Sequence, residues 1–196
     1  RLVAAVRGIR LLGDDQVISL AVLRHMKATP EERAGYLRQA AARRRAAGEE
    51  NGEAPVNGAE DGEEAEAAIL SPERIREMEE AEELLLAVTD RGFGKRSSAY
   101  GYRLAGRGGQ GIANINLTPR TGREVVATFP VRPGDGVMLV TDSGRLIRLP
   151  ADQVRITGRT GMGVTLLRLD EGERVTSCFP VMEEPVNGTS GNGNDG

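Results

Sequence analysis

The pattern of apolar and polar positions changes character along the chain. Between Thr29 and Ala47 it has a helical period. Thr29 offers an N-cap oxygen, Pro30 suits the first helical position, and Glu31 and Glu32 complement the positive end of the dipole. Arg43, Arg44 and Arg45 suit its negative end, and Gly48 stops it. A second helix is predicted from Ser71-Pro72-Glu73 to Glu83. The two read as a helical hairpin whose tip, residues 48–68, carries almost nothing apolar and is expected to be disordered.

From Leu84 the period drops to that of strands. Predicted strands cover Leu84–Val88, a return strand starting at Lys95 and Arg96, Ile112–Leu117 and Val125–Val131, with Tyr100–Leu104 leading into the glycine-rich loop. The pattern then repeats over Val137–Thr141, Arg145–Leu149, Val154–Thr157, Val164–Leu169 and Arg174–Val181. Val88-Thr89-Asp90-Arg91-Gly92 recurs as Val140-Thr141-Asp142-Ser143-Gly144, and Gly106–Ile112 as Gly158–Val164, both at an offset of 52. Phe129-Pro130-Val131 recurs as Phe179-Pro180-Val181 at an offset of 50, two residues being lost after the loop at Thr118–Arg123. A period near fifty with several short strands per unit predicts an all-β, propeller-like array.

The chain divides accordingly. Residues 1–23 read as the end of a preceding blade, because Val6-Arg7-Gly8-Ile9 matches the glycine loop and Val17–Leu23 matches Val125–Val131. Residues 24–83 form the helical insertion, 84–132 a blade, 133–182 the last blade, and 183–196 a tail expected to be disordered. The chain starts at Arg1, inside a repeat already under way, so it is expected to be a piece of a longer protein.

Charge sharpens this division. The net charge is −3, but residues 24–83 carry −7 and the tail −3, whereas residues 84–182 carry +6. Such segregation predicts a polyanionic partner for the repeats. The acidic insertion reads as a solvated spacer, or else as a competitor for the basic surface. No apolar run is long enough to span a membrane, and a cytoplasmic, non-membrane protein is expected.

Candidate chemistry is sparse. Cys178, the single cysteine, lies in an apolar strand and reads as a buried, inert thiol. His25 has no partner set for a triad or a metal and reads as a surface residue. Glu79, Glu80, Glu82 and Glu83 read as a solvated helical face. Tyr36, Tyr100 and Tyr102 lack an adjacent base, and the last two read as packing residues. The loop Gly106–Gly111 lacks the Gly-Lys-Ser/Thr ending of a phosphate loop and does not precede a helix.

Cations, by contrast, recur in register: Arg107 with Arg159, and Arg96 with Arg148. A cation repeated at one place in each blade makes a stripe that can neutralise successive phosphates of a curved duplex without reading bases. The candidate DNA-binding residues are Lys95, Arg96, Arg107, Arg148 and Arg159, followed by Arg103, Arg120, Arg123, Arg145 and Arg155.

Three stretches carry a family resemblance. Gly92-Phe93-Gly94-Lys95-Arg96-Ser97 followed by Gly106–Ile112, then Val140–Arg148, and earlier Val6–Leu11, resemble blades of the C-terminal domain of the DNA gyrase A subunit, part of a type II topoisomerase. Arg107-Gly108-Gly109-Gln110-Gly111 echoes that family's Gln-basic-basic-Gly-Gly-basic-Gly box, but Gly106 precedes Arg107 and Gln110 fills a basic slot. It therefore reads as the degenerate copy of a late blade, with the true box expected upstream of Arg1.

The resemblance implies a six-bladed β-pinwheel, of which this chain holds about two and a half blades. It implies sequence-independent binding and wrapping of double-stranded DNA in support of ATP-dependent negative supercoiling. It also implies assembly with the remainder of the A subunit, and with the gyrase B subunit, into an A2B2 heterotetramer on the chromosome. No cofactor is implied for these residues; ATP and Mg2+ serve the holoenzyme, and its tyrosine nucleophile belongs to an upstream domain. The alternatives are the corresponding subunit of topoisomerase IV and a propeller-like scaffold that binds protein.

Overall fold

A computed structural model describes residues 5–24, 26–48 and 66–181. The expected disorder of 48–68 and of the tail, and the expected placement of His25, fall wholly or largely outside those residues.

Two sheets carry the repeats. The first repeat supplies β1 (Leu84–Thr89), β2 (Phe93–Ser98) and β3 (Val125–Val131). The second supplies β4 (Gly136–Thr141), β5 (Leu146–Pro150), β6 (Val164–Thr165) and β7 (Val175–Val181). The sheet orders are β3-β1-β2-β6 and β5-β4-β7, with every pairing antiparallel. The register repeats as well. Leu84 opposes Val131 as Gly136 opposes Val181, and both ladders slip at the bulge before Thr89 and Thr141. The period seen in the sequence is thus a period in pairing.

β1 is buried on both faces, which explains its unbroken apolar run. Leu86 and Val88 join Val137, Leu139, Val154, Val175 and Cys178 in a single core that spans both repeats. β6 belongs in sequence to the second repeat yet completes the sheet of the first, pairing Phe93 with Thr165 and Gly94 with Val164. Glycine is needed where these segments meet. Gly163 has φ +80°, and a Cβ there would lie 2.6 Å from the Gly94 carbonyl oxygen.

The repeats contain fewer strands than the pattern predicts. Ala99–Gly101 and Ala151–Gln153 form 3-10 turns where strands were expected to begin or end. Residues 112–117 form no strand, 154–157 contribute one isolated bridge (Arg96 to Ile156), and the strand expected over Val164–Leu169 stops at Thr165. Tight turns and side-chain ties consume the backbone groups there. The backbone N–H of Asn116 donates to the Gly161 carbonyl (3.4 Å), and those of Leu166 and Leu167 donate to that of Gly92 (2.8 and 3.2 Å). Residues 17–23 are not a strand either, because no described strand lies along them. Ser19 Oγ donates to Thr128 O, while Leu20 and Val22 are each 86% exposed.

Among its described residues the insertion holds two helices, α1 (Pro30–Ala46) and α2 (Pro72–Glu80). Thr29 and Glu32 form the reciprocal capping box that the sequence advertises. The helices do not make the simple hairpin expected. Ala68 N donates to Glu31 O (3.0 Å), and Arg74 pairs with Glu32 (2.9 Å), so α2 starts beside the start of α1. Residues 48 and 66 are therefore separated by the length of α1, about 25 Å at 1.5 Å per residue. α1 docks on the first repeat through a second core of Tyr36, Ala40, Met78 and Tyr100. The Tyr36 and Tyr100 rings meet edge-on at 5.2 Å.

Candidate nucleic-acid interface

The two glycine loops, 106–111 and 158–163, differ in their surroundings. The first is held by residues 8–10. Ile9 bridges Gly109 in parallel, Arg10 N donates to Gly109 O (2.8 Å), and Gly108 N donates to Gly8 O (2.9 Å). The Arg7 carbonyl oxygen lies 3.9 Å from where a Cβ on Gly108 would stand, so the backbone of Arg7 runs close to the turn that holds Arg107. Arg7, Arg10, Arg103 and Arg107 are all exposed. No Asp or Glu occurs between Asp90 and Glu124, nor ahead of Asp14. Four exposed arginines thus lie on two joined segments that carry no carboxylate of their own. Arg33, on α1, donates to the Tyr102 carbonyl (3.0 Å) and ties the insertion beside Arg103.

Arg7 and Arg10 were not among the expected site residues. They lie about a hundred positions from the loop they join, and only the run without acids hinted at them.

The second glycine loop faces inward. Arg159 is half-buried and donates to the Ala113 carbonyl of the first repeat. Lys95 and Arg96, expected on a solvent-facing rim, are buried instead, at 0% and 8% exposure. The Lys95 ammonium donates to the Gly158 carbonyl (2.7 Å) and to that of Arg159. Arg96 donates to Val154 O (2.7 Å), Asp152 Oδ1 (2.8 Å) and Asp152 O (3.0 Å). The physical reason is strand exchange. β2 is an inner strand once β6 and residues 155–157 lie along it, so cations in its middle turn into the joint.

The other candidates are dispersed. Arg148 stands on the outer strand β5 and lies over Gly136, where a Cβ would be 3.2 Å from its Nε. Arg155 is half-exposed and accepts at its carbonyl from Arg96 N (2.9 Å). Arg120 covers the Phe93 ring at 5.9 Å, and Arg123 N donates to Asp90 Oδ1 (2.9 Å). Arg145 is held by Glu173 (2.5 Å) and Asp170 (3.6 Å). Glu173 also accepts from Thr141 (2.7 Å) and Ser143. These contacts hold its carboxyl at about 2, the Ser143 hydroxyl contributing most and the Asp170 amide next. At the neighbouring turn Arg174 lies 3.8 Å from Asp142, so these arginines face carboxylates.

The tyrosines are structural in placement. Tyr36 and Tyr100 lie in the insertion core, and Tyr102 donates to Asn114. Burial pushes the Cys178 thiol up to about 12. Among the described residues no three His, Cys, Asp or Glu are grouped to hold a metal ion, and no helix is long and apolar enough to cross a membrane. Neither glycine loop opens a helix.

A family model described as "DNA gyrase C-terminal domain, beta-propeller" matches residues 83–132 and 137–182. Those two segments coincide with the two repeats. The DNA gyrase A subunit of Granulibacter bethesdensis is 69% identical over 183 residues, which is 92% of this chain and 20% of that protein. The DNA gyrase A subunit of Rickettsia bellii is 49% identical over 180 residues, covering 91% and 19% respectively. The chain spans about a fifth of the length of these relatives. A solved DNA gyrase A C-terminal domain is 26% identical with a TM-score of 0.48, covering 50% of this chain and 33% of that one. A DNA topoisomerase IV C-terminal domain is 20% identical with a TM-score of 0.47, covering 50% and 31%.

Proposed function

The chain belongs to the DNA gyrase C-terminal domain family, and from that premise we propose that it binds double-stranded DNA through the phosphate backbone. The observation that carries the reading is that two segments without Asp or Glu, residues 5–13 and 91–123, are joined at the first glycine loop, with Arg7, Arg10, Arg103 and Arg107 exposed on them. Guanidiniums bind phosphate oxygens through paired N–H donors and do not need to read bases. Each neutralised phosphate releases condensed counterions, which makes such binding strong at low salt and weak at high salt.

Within a complete gyrase, this chain acts as part of a wrapping module. It guides a duplex segment so that ATP-driven strand passage, carried out by the other gyrase domains, adds negative supercoils. The A2B2 assembly, its ATP and Mg2+, and its place on the chromosome belong to the same proposal. In it this chain supplies binding and path, while cleavage and ATP hydrolysis occur elsewhere.

The test is binding of the chain to two duplexes of equal length and unrelated sequence at low salt. Equal affinities, both weakened by Arg107→Ala, support the reading. A preference for one duplex, or indifference to Arg107→Ala, refutes it.

A further inference from the structure

Lys95 and Arg96 are left unused by a phosphate-binding surface, yet both cations are buried. An ammonium is costly to bury unless its N–H groups find acceptors. Here the acceptors are backbone carbonyls of the other repeat, at Gly158 and Arg159. Arg96 adds Val154 and Asp152, and its own backbone exchanges hydrogen bonds with Arg155 and Thr157 at 2.9 Å each. Two successive residues of β2 therefore hold the segment 152–159, from the 3-10 turn into the second glycine loop. The same loop is held from the other side by Arg159 on Ala113 and by Asn116 on Gly161.

The second repeat has Ile147 at the position of Lys95 and Arg148 at that of Arg96. An apolar residue is thus accommodated at this strand position, and the ammonium distinguishes the joint between these two repeats. Hydrogen bonds to fixed carbonyls are directional, whereas apolar contacts allow one surface to slide on another.

We infer that Lys95 and Arg96 are positioning residues: they fix the angle between the two repeats, and with it the curvature that a bound duplex must follow. The inference rests on the DNA-binding reading above. Neither residue touches DNA in it, so affinity and bending become separable.

The test uses the full chain with a duplex of about 40 base pairs carrying a fluorophore at each end. The parent brings the ends together on binding. Lys95→Met keeps the stem and removes the ammonium. Its affinity changes by less than about twofold, because no phosphate contact is lost, while roughly half of the bend disappears. Amide exchange in residues 154–163 speeds up about tenfold, with β1 and β4 unchanged. Asp152→Asn weakens the same joint from its solvent side, where Asp152 is half-exposed, and decides the matter if Lys95→Met fails to fold.

A bend and a 154–163 exchange rate equal to the parent's in the folded variants overturn the inference and leave the DNA reading intact. Faster exchange spread evenly over both sheets also overturns it, since that marks a merely structural role. A parent that does not bind DNA overturns both.

Discussion

Replacing Tyr36 is expected to release the helical insertion while leaving the sheets folded. Tyr36 is 1% exposed, packs edge-on against Tyr100 at 5.2 Å, and donates its hydroxyl to Glu82 (3.0 Å). Burial, and after it the Glu82 carboxylate, push the phenol's pKa well above its usual value, so it stays a donor at any working pH. Truncation to Ala removes a large buried side chain, worth about 3–5 kcal/mol, and the ring pair adds about 0.5–1.5 kcal/mol. Tyr36→Phe removes only a hydrogen bond to a charged acceptor, about 1.5–3 kcal/mol. The Glu82 Oε1 atom already lacks a partner among the described residues, which places the Phe variant at the upper end of that range.

The core around Tyr36 is separate from the core shared by the repeats. The loss should therefore appear as local opening. Hydrogen exchange read by mass spectrometry is the assay. In Tyr36→Ala, α1 and α2 lose protection while β1 and β4 keep theirs, and Tyr36→Phe shows a smaller change confined to the same helices. Equal loss in the helices and in β1 and β4 would show one cooperative unit and refute the two-core argument. Unchanged protection of α1 would refute the docking itself.

Three further outcomes follow from local geometry. Glu173 has a depressed folded pKa, so it contributes stability above pH 4.5 that is lost as pH falls toward 2; Glu173→Gln should flatten that acid limb in urea midpoints taken across the range, and an unchanged limb contradicts it. Gly94→Ala places a Cβ 2.4 Å from Leu166 Cδ1 and 2.9 Å from the Ala87 carbonyl oxygen, and should cost about 1–3 kcal/mol in urea unfolding, partly recovered by Leu166→Ala in the same chain. Cys178, with its thiol pushed up to about 12 by burial, should react with a thiol reagent at pH 8 at least about a hundredfold more slowly in the folded chain than in urea, and equal rates would show that the thiol is open.

The parts of the fold legible in the sequence are those written in local pattern. The 52-residue offset gives β1, β2, β4 and β5 in matching register, and Thr29-Pro30-Glu31-Glu32 marks the start of α1. Contacts between distant segments were not legible. Lys95 and Arg96 look like rim cations because they are polar and adjacent in a strand, where Arg96 recurs as Arg148. Their burial depends on carbonyls 56 to 64 positions away. Arg7 and Arg10 looked like the remnant of a blade, and only the Ile9–Gly109 bridge makes them part of the site. Arg145 shows the converse: a turn arginine that reads as available for phosphate but is held by Glu173. For cations, then, a repeated position does not carry a repeated environment: Arg96 is buried where Arg148 is exposed, Arg107 is exposed where Arg159 is half-buried, and the neighbouring segments settle which.

If the four exposed arginines around the first glycine loop bind DNA phosphates, as proposed, duplex binding must depend on salt through them. Anisotropy of a labelled duplex, titrated with the full chain over a series of salt concentrations, gives the slope of log affinity against log salt. Replacing Arg7, Arg10, Arg103 and Arg107 together by Ala should reduce that slope by about 0.9 per lost contact, some 3 to 4 in all, with the fold retained by circular dichroism. A slope and an affinity equal to the parent's would contradict the account.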